Sequence, residues 1–113
     1  MSQLNQYGQP VGDALPDWQP RPCPERVTLE GQYCRLEPLR VEHAPALFAA
    51  HRLAGDDRSW TWLLREPETD PDAFTAWVTN VCELKDPVYF TVIDNRTQSP
   101  VGTLSLMRID AAN

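Results

Sequence analysis

The side chains that could ligate a metal ion in this chain of 113 residues are few and widely spaced. Three cysteines, Cys23, Cys34 and Cys82, are an odd number without a Cys-x-x-Cys pair, and the two histidines, His43 and His51, are eight positions apart. One ion is usually held by closely spaced ligand pairs or by histidines four apart on a helix. The sequence therefore predicts no metal site, and it favours reduced thiols in a reducing compartment.

Aromatic residues in a polar stretch are the second candidate for chemistry. The segment from residue 56 to 67 contains Trp60 and Trp62 beside charged and hydroxyl side chains. Large aromatic residues in a loop either fill part of a core or form the wall of a ligand site, and both interpretations remain open. His51 falls on the apolar face of a predicted helix, which favours a histidine at the edge of the core over a catalytic one.

Composition and charge restrict the possible partners. The net charge of -6 and the isoelectric point near 4.7 repel phosphate backbones, so we expect no nucleic-acid partner, while an amine-bearing ligand is compatible with the field. No apolar run approaches the roughly 20 residues of a membrane span. The first residues lack a basic region followed by an apolar block, so no signal peptide is expected. We expect a cytoplasmic protein with one core and no membrane partner.

The elements that must position these side chains begin after a proline-rich arm. Residues 1–26 contain five prolines, and at that density no helix forms, because each ring removes a donor and restricts the residue before it. The arm is expected to be extended, either as a disordered tail or docked over a groove through Val11, Leu15 and Trp18.

Residues 27–113 are expected to form one α+β domain of the sandwich type, with the order β-α-α-β-β and a mixed or antiparallel sheet. Alternating residues before Pro38 predict a half-buried strand that Pro38 either ends or places at an edge. The apolar spacing predicts a first helix from Glu42 to about Ala54, with Pro45 in its first turn and Gly55 as the stop.

The second helix has a strong start signal in Thr69 or Asp70 as the cap and Pro71 at the first helical position. An apolar stripe then predicts core packing, which makes its cysteine an inert thiol. The stripe consists of Phe74, Trp77, Val78, Val81 and Cys82.

Two strands, Val88–Asp94 and Pro100–Asp110, flank a polar turn and predict a hairpin. The second strand is nearly continuously apolar, which suits a central position in a sheet, yet only three residues follow it. We therefore expect a chain that is cut short, with an open edge from Thr103 to Ile109 that is prone to pair with another chain or with a second copy.

Four segments, in this order and spacing, give the chain a resemblance to the amino-terminal half of a GNAT-type (Gcn5-related) N-acetyltransferase, in the branch of the ribosomal-protein amino-terminal acetyltransferases. They are residues 29–39, residues 43–51, the pair Trp60-Thr61-Trp62-Leu63 with Phe74-Thr75-Ala76-Trp77, and residues 100–110. The resemblance implies transfer of an acetyl group from acetyl-CoA to a primary amine of a small molecule or of a protein amino terminus.

The resemblance also implies a Gln/Arg-x-x-Gly-x-Gly/Ala loop that holds the pyrophosphate of acetyl-CoA at a helix start. The sequence contains no such loop, so we expect acetyl-CoA to serve the full family domain, and no cofactor to bind this chain alone. By family position, the acceptor pocket would be lined by Trp60, Thr61, Trp62 and Tyr89, and no catalytic base is assigned. A departure at Leu64-Arg65-Glu66-Pro67 sets this pocket apart from the family pattern.

Two function classes remain open at this point. The first is an N-acetyltransferase represented by a chain that is inactive alone. The second is a non-catalytic binding module that uses the acceptor half and its open sheet edge to pair with another chain.

Overall fold

A computed structural model describes residues 3–112 and shows an α+β fold with two helices and two antiparallel sheets in that range. The elements are β1 (Gln3–Leu4), β2 (Pro10–Val11), β3 (Leu29–Glu30), β4 (Cys34–Pro38), α1 (Ala44–Arg52), α2 (Pro71–Val81), β5 (Val88–Asp94) and β6 (Ser99–Leu106). Strands β1 and β2 pair with each other, and the larger sheet has the order β3-β4-β5-β6. From β4 onward the predicted order β-α-α-β-β is confirmed.

The proline-rich arm forms a two-residue β-ladder between β1 and β2 and has no helix in its described part, residues 3–26. Its residues are almost all exposed, including Trp18. Two hydrogen bonds connect its far end to the domain: the Arg21 N–H donates to the Ala111 carbonyl at 3.2 Å, and Arg26 Nη2 donates to the Leu39 carbonyl at 3.1 Å.

Helix α1 is shorter than the sequence predicts. A 3₁₀ turn, Val41–His43, precedes it, and the helix runs from Ala44 to Arg52 with Pro45 in its first turn as expected. The helix ends before Gly55, because the Leu53 N–H bonds to the carbonyls of Ala50 and His51 in a tightened last turn.

Helix α2 begins where the sequence predicts. The Asp70 carboxylate accepts hydrogen bonds from the N–H groups of Asp72 and Ala73, at 3.4 Å and 3.2 Å, and Pro71 occupies the first turn. Proline needs no acceptor there, and the carboxylate satisfies two donors that would otherwise lack partners. The local sequence therefore fixes the start of this helix.

Strand β4 lies inside the sheet, between β3 and β5, and its last residue, Pro38, pairs with Phe90. Pro38 therefore ends the strand. Because β3 pairs only with Arg35 and Leu36, Pro38 also lies at a position that is open on the β3 side, in agreement with the edge alternative. The alternation of exposed and buried side chains predicted before Pro38 is absent, because Cys34 is exposed and the four following residues are all half-buried.

Strand β6 differs most from its prediction. It ends at Leu106, not at Asp110, because Arg108 has a positive φ of 54° and the N–H groups of Arg108 and Ile109 donate to the Asp86 carboxylate at 3.1 Å and 3.0 Å. Pro100 lies within the strand opposite Ile93, next to a register shift, where a residue without an N–H is tolerated. Within the described residues, β6 pairs with β5 alone and forms an edge.

The core lies where the two helices meet the sheet. Its fully buried members from the first half of the domain are Leu39, Ala44 and Leu47, and α2 adds Phe74 and Val78. The predicted joint of Phe48, Phe74, Trp77 and Val78 is confirmed, because Phe48 and Trp77 pack against this cluster. Cys82 and Tyr89 also pack against it.

Candidate acceptor groove

A groove is bounded by three parts of the chain: the segment that connects α1 to α2, helix α2 itself, and the β5–β6 hairpin. Its volume is about 1050 Å³, which includes space open to solvent. The connecting segment contributes Trp60, Trp62, Leu63, Leu64 and Arg65. Helix α2 contributes Trp77, and the hairpin side contributes Tyr89, Thr103, Leu104, Ser105 and Met107. Apolar walls with a few hydroxyl groups are typical of a small-molecule site.

Three of the four residues predicted for an acceptor pocket come together in this groove: Trp60, Trp62 and Tyr89. Thr61 does not line it. Thr61 follows the 3₁₀ turn Arg58–Trp60, its hydroxyl donates to the Arg58 carbonyl at 2.8 Å, and it lines a neighbouring surface depression. The side chain of Trp62 is 93% exposed, so it forms the outer lip of the groove.

Trp77 joins the groove to the core. Its ring meets Tyr89 edge to face with centroids 5.5 Å apart, and it lies 5.8 Å from the Phe74 ring. Such aromatic pairs add stability beyond the burial of their area. The inner wall of the groove is therefore part of the packed joint between α2 and the sheet.

Among the groove residues that the sequence did not assign to the pocket, Arg65 is the one with a charge. Its guanidinium carbon lies 4.1 Å from the centroid of the Trp77 ring and 5.5 Å from that of Trp60. Its Nη2 atom is buried and has no hydrogen-bond partner, and the nearest carboxylate oxygen, on Glu68, is 4.0 Å away. One sequence feature could have identified Arg65: it is an arginine near three tryptophans in the chain. It lies in the segment Leu64-Arg65-Glu66-Pro67, which departs from the family pattern.

His51 borders the same region from α1. Its ring lies 5.4 Å from Phe74 and 6.1 Å from Trp60, both edge to face. Burial, and then the nearby Arg65 cation, lower the pKa of His51 from its usual value. His51 is half-buried at the edge of the core, which agrees with the prediction from its position on the helix.

A buried polar pair that the sequence did not reveal lies outside the groove. His43 Nδ1 lies 2.8 Å from Thr91 Oγ1, and it accepts the Arg40 N–H at 3.2 Å. Arg40 also approaches the other ring nitrogen, with its Nη2 atom 3.4 Å from Nε2, so both nitrogens of the His43 ring have polar neighbours. Burial, and then Arg40, lower the pKa of His43. The pair joins the start of α1 to β5 and has a structural role.

The start of α2 does not fit the pyrophosphate of acetyl-CoA. At the start of α2, the Asp70 carboxylate occupies the N–H groups of Asp72 and Ala73, and Asp72 adds a further negative charge. Helix α1 follows directly from a 3₁₀ turn and has Pro45, which lacks an N–H, in its first turn. The start of α2 therefore offers no free N–H group to an anion, and Pro45 removes one donor from the start of α1.

Metal sites and membrane spans are both absent from residues 3–112. No group of three or more histidine, cysteine, aspartate or glutamate side chains in that range could hold a metal ion. No helix in the same range has the length and apolar character needed to cross a membrane.

Comparison with known proteins gave matches among solved structures. No protein-family model and no curated protein matches the chain. The chain is similar to a GCN5-related N-acetyltransferase from Brucella melitensis, with 41% identity and a TM-score of 0.82 over 88% of this chain and 45% of that chain. It is also similar to a probable acetyltransferase of the GNAT family from Chromobacterium violaceum ATCC 12472, with 26% identity and a TM-score of 0.74 over 92% of this chain and 52% of that chain.

A third structure, from T. thermophilus, is 23% identical with a TM-score of 0.58 over 74% of this chain and 42% of that chain, and shows the fold alone. The chain thus spans about half the length of the structures it matches. The first of these structures is described as a GCN5-related N-acetyltransferase and the second as a probable acetyltransferase of the GNAT family, and this chain shares the fold of the parts of them that it matches. The predicted α+β class, as part of a GNAT fold, is confirmed.

Proposed function

We propose that this chain provides the acceptor side of an acetyl-CoA-dependent N-acetyltransferase. Its substrate is the primary amine of a small molecule or of a protein amino terminus. The observation that carries the proposal is the groove bounded by Trp60, Trp62 and Tyr89, in a chain whose fold and 41% identity match a GCN5-related N-acetyltransferase. The protein is proposed to act in the cytoplasm, in keeping with its three free cysteines.

The groove suits an amine attached to an apolar body. Aromatic walls give contact area at a small entropic cost, and hydroxyl groups such as those of Tyr89 and Ser105 provide a few directional hydrogen bonds. The role proposed for these residues is to bind and orient the acceptor. No side chain of the chain is assigned as a general base.

The acetyl-CoA side is proposed to be formed by polypeptide other than the residues described here. Support comes from the shares of the neighbouring structures that the chain matches, 45% and 52%, and from the start of α2, where the Asp70 carboxylate already binds two N–H groups. We propose that the chain corresponds to the amino-terminal half of a GNAT domain in the ribosomal-protein branch. Alone, it should neither bind acetyl-CoA nor transfer acetyl groups.

A chimera tests the proposal. In the Brucella melitensis N-acetyltransferase, the matched segment is replaced by this chain, so that the remainder of that protein supplies whatever the chain lacks. Release of the free thiol of coenzyme A is then followed in the presence of a panel of primary amines. We expect amine-dependent release by the chimera and none by the chain alone.

The control is the same chimera with Trp62→Ala. Trp62 is 93% exposed, so its loss should leave the fold intact while weakening acceptor binding, which raises KM for the amine. A folded chimera that binds acetyl-CoA but transfers to no amine would contradict the proposal. Binding of acetyl-CoA to the isolated chain with a Kd near 1 μM, about -8 kcal/mol, would contradict the assignment of the cofactor side.

An interaction module is the second candidate, and the open edge of β6 favours it. Val101, Leu104 and Leu106 on this strand are all exposed, and the strand pairs on one side only within residues 3–112. Such an edge can accept a strand from another chain. Strand addition without any acetyl transfer in the chimera would favour this candidate over the enzyme.

A further inference from the structure

The charge inside the acceptor groove has the opposite sign to the charge of the whole chain. The net charge of the chain is -6, yet among the described residues that line the groove only Arg65 is charged. A bare ammonium group would be attracted to the protein at long range and repelled by Arg65 once inside. The favoured ligand therefore has a negative group to place beside this guanidinium.

The guanidinium of Arg65 is held in place before any ligand arrives. Its carbon lies 4.1 Å from the Trp77 centroid and 5.5 Å from the Trp60 centroid. Contact with two aromatic rings restricts the rotamers of a side chain that is otherwise flexible. Binding an anion at this position thus costs less conformational entropy than ordering a free surface arginine would.

The positive charge of Arg65 is only weakly compensated. Its closest acidic neighbour in the described structure is Glu68, at 4.0 Å, and the side chains of both residues are 36% exposed, so solvent screens the pair. One guanidinium nitrogen, Nη2, is buried without a hydrogen-bond partner. Because both two-donor edges of a guanidinium include Nη2, a carboxylate in the groove is bound by a single charge-assisted hydrogen bond from one of the other two nitrogens.

We propose that Arg65 is a specificity residue that selects acceptors in which the amine is accompanied by a carboxylate on an apolar body, as in an amino acid. This inference rests on the proposed function, because it names the substrate class of the same groove. The carboxylate binds Arg65, and the apolar body packs against the exposed side chains of Trp62, Leu63 and Leu64.

Two probes that differ only in the carboxylate test the inference: L-phenylalanine and phenethylamine. Binding to the intact chain is followed by NMR of the indole N–H signals, without acetyl-CoA. L-phenylalanine should shift the signals of Trp60, Trp62 and Trp77, and should leave that of Trp18, in the arm, unchanged. Phenethylamine should bind at least about tenfold more weakly, the scale of one charge-assisted pair.

Three variants assign the preference to Arg65. Arg65→Gln should abolish the difference between the two probes, and Arg65→Lys should keep part of it, since lysine retains the charge but not the planar guanidinium that packs on the Trp77 ring. The matched control is Arg58→Gln in the same connecting segment. The Arg58 side chain is 87% exposed, pairs with Asp56 and does not line the groove, so this variant should keep the full preference.

The inference is overturned if the two probes bind equally, if L-phenylalanine does not bind at about 10 mM, or if folded Arg65→Gln and Arg65→Lys both keep the full preference. If Arg65→Gln fails to fold, Arg65→Lys decides, because loss of part of the preference supports the inference and no loss refutes it. The outcome is independent of acetyl transfer. A chimera without activity combined with a carboxylate preference that depends on Arg65 would refute the proposed function and leave this site standing.

Discussion

Replacement of Trp77 by alanine should lower the free energy of unfolding by about 3 kcal/mol, the lower end for loss of a large aromatic side chain. Trp77 is half-buried, so the transfer contribution is below the maximum. Its contacts with Phe74 and Tyr89 are aromatic pairs at 5.8 Å and 5.5 Å, each of which adds about 0.5–1.5 kcal/mol. The Arg65 guanidinium, 4.1 Å from the ring, adds about 0.5–2 kcal/mol.

Thermal unfolding followed by circular dichroism measures this loss. For a domain of about 100 residues, 1 kcal/mol shifts Tm by roughly 4–8 °C, so the variant should melt at least about 12 °C lower than the natural chain. Trp62→Ala is the matched control because it makes the same chemical change at a side chain that is 93% exposed. It should alter stability by less than about 0.5 kcal/mol.

A double-mutant cycle separates the arginine contact from the rest. The coupling between Trp77→Ala and Arg65→Gln should equal the cation–π contribution, because each single variant removes that contact. An unchanged Tm for Trp77→Ala, or equal losses for the Trp77 and Trp62 variants, would refute the packing of α2 against the sheet described here.

Three further predictions concern the helix cap, the histidines and the sheet edge. Asp70→Ala should cost about 1 kcal/mol in urea unfolding, because two N–H groups of α2 lose their acceptor, whereas Asp70→Asn should cost less. Because the pKa values of His43 and His51 are lowered in the folded state, the unfolded chain binds more protons. The contribution of these histidines to the free energy of unfolding should therefore be complete above about pH 6.5 and fall as the pH drops below it. An unchanged free energy of unfolding between pH 7 and pH 5 would contradict this. Light scattering should show that the chain self-associates through β6, and more strongly without residues 1–26. Val101→Lys should reduce this association. An arm-deleted chain that is cooperatively folded and monomeric would show that the edge is protected.

The second helix shows how far the sequence alone can determine a structure. Asp70 and Pro71 specify its start through contacts within three residues, and the apolar stripe that follows specifies its buried face. The β5–β6 hairpin is equally local, because a short polar turn joins two strands of strong β propensity. The resemblance to acetyltransferases added Trp60, Thr61, Trp62 and Tyr89 as a set, and three of the four, all except Thr61, line one groove.

What the tertiary structure alone decided depends on contacts between residues that are distant in the sequence. Strand β6 ends early because the Asp86 carboxylate binds the N–H groups of residues more than 20 positions away. His43 is buried because Thr91, 48 positions further on, bonds to its ring. In the sequence Arg65 is only a polar residue of a loop. The fold places its guanidinium on the ring of Trp77, 12 positions away. Periodicity and local propensity indicate which face of an element is apolar. They contain no information about which distant polar group packs against that face, and the packing of Arg65 on Trp77 is what places a positive charge in the groove.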